Sequence, residues 1–310
     1  TVAVAPPIGY DLSPRRSSDK QTAGIDLTCL RAAGVGAEPI PVELLNQFSE
    51  HFSAIGFNRN AFMPCYGLAE NTLAVSFSDE NKGAQVNEVD RDILEYEGRA
   101  VAPTSKSRAT SSFVNCGKPL PGHQIEIRSE SGEALPEQQV GHICISGPSL
   151  MSGYFRDPIT QQQIQSTGWM DTGDLGYQSE GYLYVTGRKK DLIIIRGRNI
   201  WPQDIEYVAE SEPEIHAGDA IAFVTEEHGE TARIILQIQC RVSSEERRKQ
   251  LVHSLSASIQ SEFGIAVDIE LLPPHSIPRT SSGKPARAEA KKRWMTSKLY
   301  SPVQMPGFVQ

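Results

Sequence analysis

The sequence predicts a mixed α/β protein, α+β in arrangement, built in two parts that meet near residues 187–191. Three observations carry this expectation. Residues 113–185 hold short apolar–polar alternations broken by Gly and Pro, such as Gln124-Ile-Glu-Ile and His142-Ile-Cys-Ile-Ser-Gly, the pattern of half-buried antiparallel strands. After Gly187 the texture becomes a compact succession of strand-like runs at 220–225, 233–242 and 267–272 around one long amphipathic helix. Between them lies GRKKDLIIIRGRN, residues 187–199, a short aliphatic run fenced by basic residues in a chain whose net charge is −8.

The elements follow in order. Residues 1 to about 36 hold short apolar pieces and a polar loop at 13–20. Residues 41–54 predict a helix, because Leu44, Leu45, Phe48 and Phe52 recur three and four residues apart, and Gly56 is its stop. Residues 61–78 predict strand, loop and helix. The polar stretch 79–112 has few large apolar residues and predicts an insertion or long surface excursion. Residues 244–263 predict the long helix: Ser243 or Ser244 caps it, Glu245 and Glu246 suit its positive end, and Leu251, Leu255, Ile259 and Phe263 form its apolar stripe. Gly264 ends it. A Ser/Gly loop and a basic helix span 280–294, and the end of the chain predicts a disordered tail.

Composition excludes several classes. With 39% hydrophobic and 22% charged residues the chain is a globular, soluble one, and its pI of about 5.5 argues against bulk attraction to nucleic acid. The longest aliphatic run, Leu192 to Ile195, is far short of the ~20 residues that span a bilayer. Five scattered cysteines (Cys29, Cys65, Cys116, Cys144, Cys240) without a CxxC pair predict reduced core thiols of a cytoplasmic protein. The histidines lack ligand spacing such as HExxH, which argues against a protein-held zinc.

Four segments can carry chemistry, and each also has an ordinary reading. In Tyr66-Gly67-Leu68-Ala69-Glu70, the ring can stack on a flat ligand, Gly67 permits close approach and Glu70 can hold Mg²⁺; equally, this is a turn opening a core helix. In Trp169-Met170-Asp171-Thr172-Gly173-Asp174 a carboxylate can accept both hydroxyls of a ribose, or the segment is an Asp-rich turn. Asp174 and Arg188 flank an expected hairpin with Gly181 near its turn, which can place both on one ligand. Arg196 and Arg198, either side of Gly197, can meet phosphate, or the basic run is a solvated face. Arg279-Thr280-Ser281-Ser282-Gly283-Lys284 is a loop whose lysine can swing onto developing negative charge, or is simply exposed; it is not a P-loop, because Pro285 follows the lysine.

Together and in this order, these segments resemble the adenylate-forming superfamily of acyl-CoA synthetases, peptide-synthetase adenylation domains and luciferases. YGLAE, GHICISGPSLMSGYF, WMDTGDLG, GRKKDLIIIRGRN and PRTSSGK carry the resemblance, which runs from Leu30 to Trp294. Within the superfamily, YGLAENTL, NCGKPLPG and LIIIRGRNIWPQDIE are most similar to the fatty acyl-AMP ligases.

The resemblance implies a fatty acid attacking the α-phosphate of ATP, with Mg²⁺, to give an acyl-adenylate and pyrophosphate, then transfer to the phosphopantetheine of an acyl carrier protein or to CoA. It implies that residues 1–187 are the end of a large domain with a β-barrel-like subdomain, carrying a ligase-type insertion at 79–112. A hinge at 188–191, a small mobile α+β domain at 192–297 and a tail at 298–310 follow. Gly36, Ala37, Glu38 and Tyr66, with Gly67 beside it, would line the adenine pocket, and Glu70 would meet Mg²⁺ and phosphate. Asp174, helped by Arg188, would bind the ribose. Lys190 would stand at the hinge, Gly197 in the thiol-transfer loop, and Lys284 would be the catalytic lysine. Pro285 departs from the aliphatic residue often found there. The family's Ser/Thr/Gly phosphate loop has no counterpart before Gly36, so the chain is expected to be part of a longer enzyme and to adenylate poorly alone. A fragment of a fatty acyl-CoA synthetase and a non-catalytic nucleotide-binding module are the alternatives.

Overall fold

The computed structural model describes residues 1–225, 232–280 and 285–300. The chain forms two compact units, Thr1–Leu192 and Ile193–Gln310. The first begins with β1 (Val2–Ala5), α1 (Pro7–Arg16), α2 (Asp19–Thr22), β2 (Ala32–Val35), α3 (Val42–Phe52), β3 (Phe62–Gly67) and β4 (Ala74–Phe77). β1, β2 and β3 are parallel neighbours, and β4 joins β3 antiparallel. Leu45, Phe48 and Phe52 of α3 bury against Tyr10, Phe57 and Phe62, which makes an aromatic core. The spacing of α3 was legible; the helical end of α1 occupies part of the expected polar loop, with Pro14 inside it.

Two further expectations are corrected. No helix follows Glu70. A single 3-10 turn (Ala69–Asn71) leads into β4, whose Val75 and Ser76 are fully buried, with Ser76 Oγ donating to Cys116 O at 2.8 Å. The polar stretch is also folded rather than a bare excursion: β5 (Val86–Asp90), α4 (Arg91–Glu97) and β6 (Thr110–Val114) form a hairpin with an inserted helix. Val89, Leu94 and Ala100 bury against Tyr177 and Tyr184, so the stretch borrows its core from elsewhere in the unit. β7 (Lys118–Pro119) completes the first sheet beside β4.

β8 (Gln124–Arg128), β9 (Gly141–Ser146), α5 (Pro158–Thr167), β10 (Met170–Ser179) and β11 (Tyr182–Arg188) follow. The four strands make an open antiparallel sheet in the order β11-β10-β9-β8; no sheet among the described residues closes into a barrel. Cys116, Cys144 and Cys240 are buried thiols as expected, whereas Cys29 is exposed.

The second unit opens with the hairpin β12 (Ile193–Ile195) and β13 (Arg198–Ile200), then α6 (Pro202–Glu210), β14 (Ala220–Thr225), β15 (Arg233–Gln239), α7 (Glu245–Phe263), β16 (Asp268–Leu272) and α8 (Arg287–Tyr300). β14 and β15 pair antiparallel, and α7 supplies the crossover that lets β16 join β15 parallel. The period of two serves both faces of this sheet. Ala220, Ala222, Ile234, Leu236 and Ile238 meet Leu251, Leu255, Ile259 and Phe263 of α7. Ile221, Phe223 and Ile235 meet Ala290 and Trp294 of α8. Ser244 caps α7 and Gly264, at φ +66°, ends it, as expected.

Glu210, at the end of α6, accepts the Gly218 N–H at 2.7 Å. Burial, with Glu206 and Asp219 nearby, pushes its carboxyl up to about 8, against opposing backbone hydrogen bonds. The folded unit therefore holds this proton where the unfolded chain has released it. The stabilisation is complete below the ordinary carboxylate value and is lost as pH rises through about 8. Urea unfolding should show this unit losing about 4 kcal/mol between about pH 5 and pH 9, and Glu210→Gln should flatten that slope. An unchanged slope in the variant would remove Glu210 from the account.

Candidate functional site

Asp174 and Arg188 are direct partners in the β10–β11 ladder, so both side chains leave one face of the sheet. Arg188 Nε donates to Asp174 Oδ1 at 3.1 Å, and Tyr66 Oη, from β3, donates to Asp174 Oδ2 at 2.7 Å. The Asp174 side chain is 13% exposed and that of Arg188 57%, so the carboxylate is largely covered while the guanidinium is open. Each carboxylate oxygen offers two lone-pair directions, and these contacts use one on each. Two acceptor directions therefore remain, enough for two further donors.

Burial pushes the Asp174 carboxyl above the usual carboxylate range, opposed by the hydrogen bonds from Tyr66 and Arg188. Burial and the neighbouring carboxylate push the Tyr66 hydroxyl well above its ordinary value, so it keeps its proton and donates. Tyr66 is 9% exposed, and its hydroxyl serves as the partner of Asp174.

The turn that presents Asp174 is pinned locally. Gly173, at φ +74°, donates its N–H to Asp171 Oδ1 at 2.8 Å. Thr172 Oγ1 donates to Ile143 O at 2.9 Å and accepts the Asp174 N–H at 3.2 Å.

Glu70 sits in the 3-10 turn just beyond β3. Its Oε1 accepts from Tyr154 Oη at 2.7 Å, and this bond is the main cause that pushes the Tyr154 hydroxyl up to about 12. Tyr154 and Thr172 are site residues that the sequence reading passed over, although both lie inside segments it singled out. Gly67 turns out to be required by the chain itself: a Cβ there would lie 2.0 Å from Leu73 O. Gly36 is similar, with Cys65 O at 2.4 Å from its Cβ position. Gly36, Ala37 (φ +69°) and Glu38 follow β2 directly. Because β2 and β3 are parallel neighbours, these residues and Tyr66–Glu70 leave the same end of the sheet, where open α/β sheets bind ligands.

Lys190 lies exposed in the 3-10 turn after β11. Gly197 belongs to the second unit, in the two-residue turn between β12 and β13. Arg196 and Gly197 have φ of +51° and +77°, the pair that a type I′ hairpin needs, which accounts for the glycine without a ligand. Lys284, with the rest of Ser281-Ser282-Gly283, lies outside the described residues. Among the described residues no group of three or more His, Cys, Asp or Glu side chains is arranged to hold a metal, and no helix is long and apolar enough to cross a membrane.

Residues 1–155 match the family model of the AMP-binding enzymes, and residues 197–291 that of the AMP-binding enzyme C-terminal domain. A solved structure from work on fatty acyl-adenylate ligases of E. coli and L. pneumophila is 67% identical, with a TM-score of 0.93, covering 97% of this chain and 54% of that one. A protein of Caulobacter vibrioides provisionally named acyl-CoA synthetase is 38% identical over 297 residues, 95% of this chain and 52% of its own length. The medium-chain-fatty-acid–[acyl-carrier-protein] ligase JamA of Moorena producens is 33% identical over 312 residues, 96% of this chain and 53% of its own. The chain thus spans about half the length of these relatives.

Proposed function

We propose, from the premise that the chain belongs to the AMP-binding enzyme family, that it carries the ribose-binding and lysine-bearing portion of a fatty acyl-AMP ligase. The observation that carries this reading is the covered Asp174 carboxylate, held by Tyr66 and Arg188 with one acceptor direction left on each oxygen. The ligase names of the 67% identical structure and of JamA support it.

In this reading Asp174 accepts the 2′- and 3′-hydroxyls of ATP, and Arg188 keeps the carboxylate charged. Gly36, Ala37, Glu38 and Tyr66 border the adenine, at the same sheet end as Glu70. A lone carboxylate fits Mg²⁺, which takes one or two protein ligands and shares the phosphate oxygens. Glu70 would hold that ion beside the phosphates, with Tyr154 orienting the carboxylate. The fatty acid carboxylate attacks the α-phosphorus, pyrophosphate leaves, and Lys284 neutralises the charge that builds on the transferring oxygens. The small domain then turns about Lys190 to bring Gly197 toward the thiol, which we assign to the phosphopantetheine of an acyl carrier protein. Residues 79–112 form the insertion that restricts this motion.

Asp174→Ala is expected to weaken ATP or AMP binding about 10- to 100-fold, since two charge-assisted hydrogen bonds are lost. Calorimetry with the protein and AMP measures this, and unchanged affinity would refute the ribose assignment. The name of the Caulobacter relative favours a second reading, transfer to CoA. Ready formation of fatty acyl-CoA by the full-length protein, with none on a carrier protein, would decide for it.

A further inference from the structure

We propose that His142 and Asp171 are positioning residues that set the ribose selectivity of the site by aiming Asp174; this rests on the ribose assignment above. The β9–β10 ladder breaks between Asp171 and Leu175, so residues 172–174 have no partner in β9. Asp174 keeps its β11 partner Arg188, while on the β9 side the turn is held by side chains, Thr172 Oγ1 donating to Ile143 O and the Asp171 carboxylate. The Asp171 carboxylate spans the gap: Oδ1 accepts the Gly173 N–H at 2.8 Å, and Oδ2 accepts from His142 Nδ1 at 2.8 Å. Asp174 follows Gly173 directly.

The Asp171 side chain is 42% exposed and would sample several rotamers if left to itself, whereas the imidazole of His142 is 9% exposed. Beyond that ring, Nε2 faces Glu130 Oε1 at 3.1 Å and Lys189 Nζ at 3.3 Å, and Lys189 Nζ donates to Glu130 Oε2 at 2.6 Å. A covered ring contacted at both nitrogens resists rotation, so it fixes Asp171, which fixes the Gly173 amide and hence the approach of Asp174. Neither residue touches the ligand in this arrangement. A carboxylate that must meet two hydroxyls at once tolerates only about 0.5 Å of drift. In the proposed reading the base and phosphates are met by residues 36–38, Tyr66 and Glu70, which lie outside this turn.

The selective readout is therefore the preference for ATP over 2′,3′-dideoxy-ATP, which lacks both hydroxyls. In the full-length protein, KM for each nucleotide is measured in fatty-acid-dependent pyrophosphate exchange. The wild type is expected to favour ATP by about 10- to 100-fold. Asp171→Ala and His142→Leu are each expected to cut that preference about tenfold by raising KM for ATP, with KM for the dideoxy analogue unchanged within about twofold. His142→Asn, whose amide nitrogen can stand in for Nδ1, is expected to restore it. Should His142→Leu not fold, Asp171→Ala decides alone, because truncating a half-exposed carboxylate leaves no buried cavity. Asp174→Ala tests the underlying reading: a preference that survives there, or is absent in the wild type, overturns the ribose assignment and this proposal with it. A preference lost in Asp174→Ala but intact in Asp171→Ala, or two KM values raised equally, overturns the positioning role alone.

Discussion

Lys284→Ala is expected to slow acyl-adenylate formation by about 10²–10³-fold, the loss that follows removal of one preorganised charge contact from a transition state. The residue lies outside the described segments, but both of its flanks are described, and they are anchored. Arg279 and Pro285 face each other in a bridge, and the Ala286 N–H donates to Pro278 O at 2.8 Å. Arg279 Nη2 donates to Gly218 O at 2.7 Å, and Arg287 Nε donates to Ala222 O at 2.8 Å, so each flank is tied to β14 or the residues just before it. Pro285, the departure from the family pattern, stands in that bridge, and no backbone donor is asked of it there. The measurement is fatty-acid-dependent ATP–pyrophosphate exchange by the full-length protein. Transfer from a synthetic acyl-adenylate to the thiol should remain within a few-fold of wild type, because the proposed role of the lysine lies in the first half-reaction. Exchange at the normal rate in the variant would remove Lys284 from the chemistry.

What was legible in the sequence was local. α7 could be read because its cap, stripe and terminal glycine lie within twenty-one consecutive residues, 244–264. The Asp174–Arg188 pairing could be read because one hairpin joins them. What failed was non-local. Val75-Ser76-Phe77-Ser78 carries a strand alternation too short to outweigh the helical reading, and its neighbours decide: β3 on one side, β7 on the other, and Cys116 O receiving the Ser76 hydroxyl. The polar stretch after it looked coreless because Tyr177 and Tyr184, which complete its core, stand far along the chain. In the site, Tyr66 was singled out for its ring, yet its hydroxyl on Asp174, 108 residues away, is the contact that organises the carboxylate. The glycines carry a second, structural reason that the sequence did not show: strand proximity requires Gly36 and Gly67, and turn geometry suits Gly197.

Arg287→Ala is expected to destabilise the second unit by about 3–5 kcal/mol, the cost of leaving one partner of a covered ion pair alone. Arg287 Nη2 meets Glu206 Oε1 at 2.5 Å, with the side chains only 15% and 14% exposed. The same Glu206 oxygen accepts the Ala222 N–H at 2.7 Å, and Arg287 Nε donates to Ala222 O. One pair therefore joins α6, β14 and the first turn of α8. Truncating the arginine strands a carboxylate in a site with little water, whereas removing both charges does not. The double variant Glu206→Gln/Arg287→Met should accordingly recover much of the loss, giving a coupling of about 1–3 kcal/mol in a double-mutant cycle whose single variants are Glu206→Gln and Arg287→Met. Urea unfolding followed by tryptophan fluorescence in a Trp169→Phe background reads this unit through Trp201 and Trp294, the latter packed on β14 through Phe223. The single variant should also slow adenylation, because Arg287 anchors the segment that carries Lys284, and the double variant should not recover that rate even where it recovers stability. Recovery of both together would mean that Arg287 acts on the reaction only through the stability of its unit.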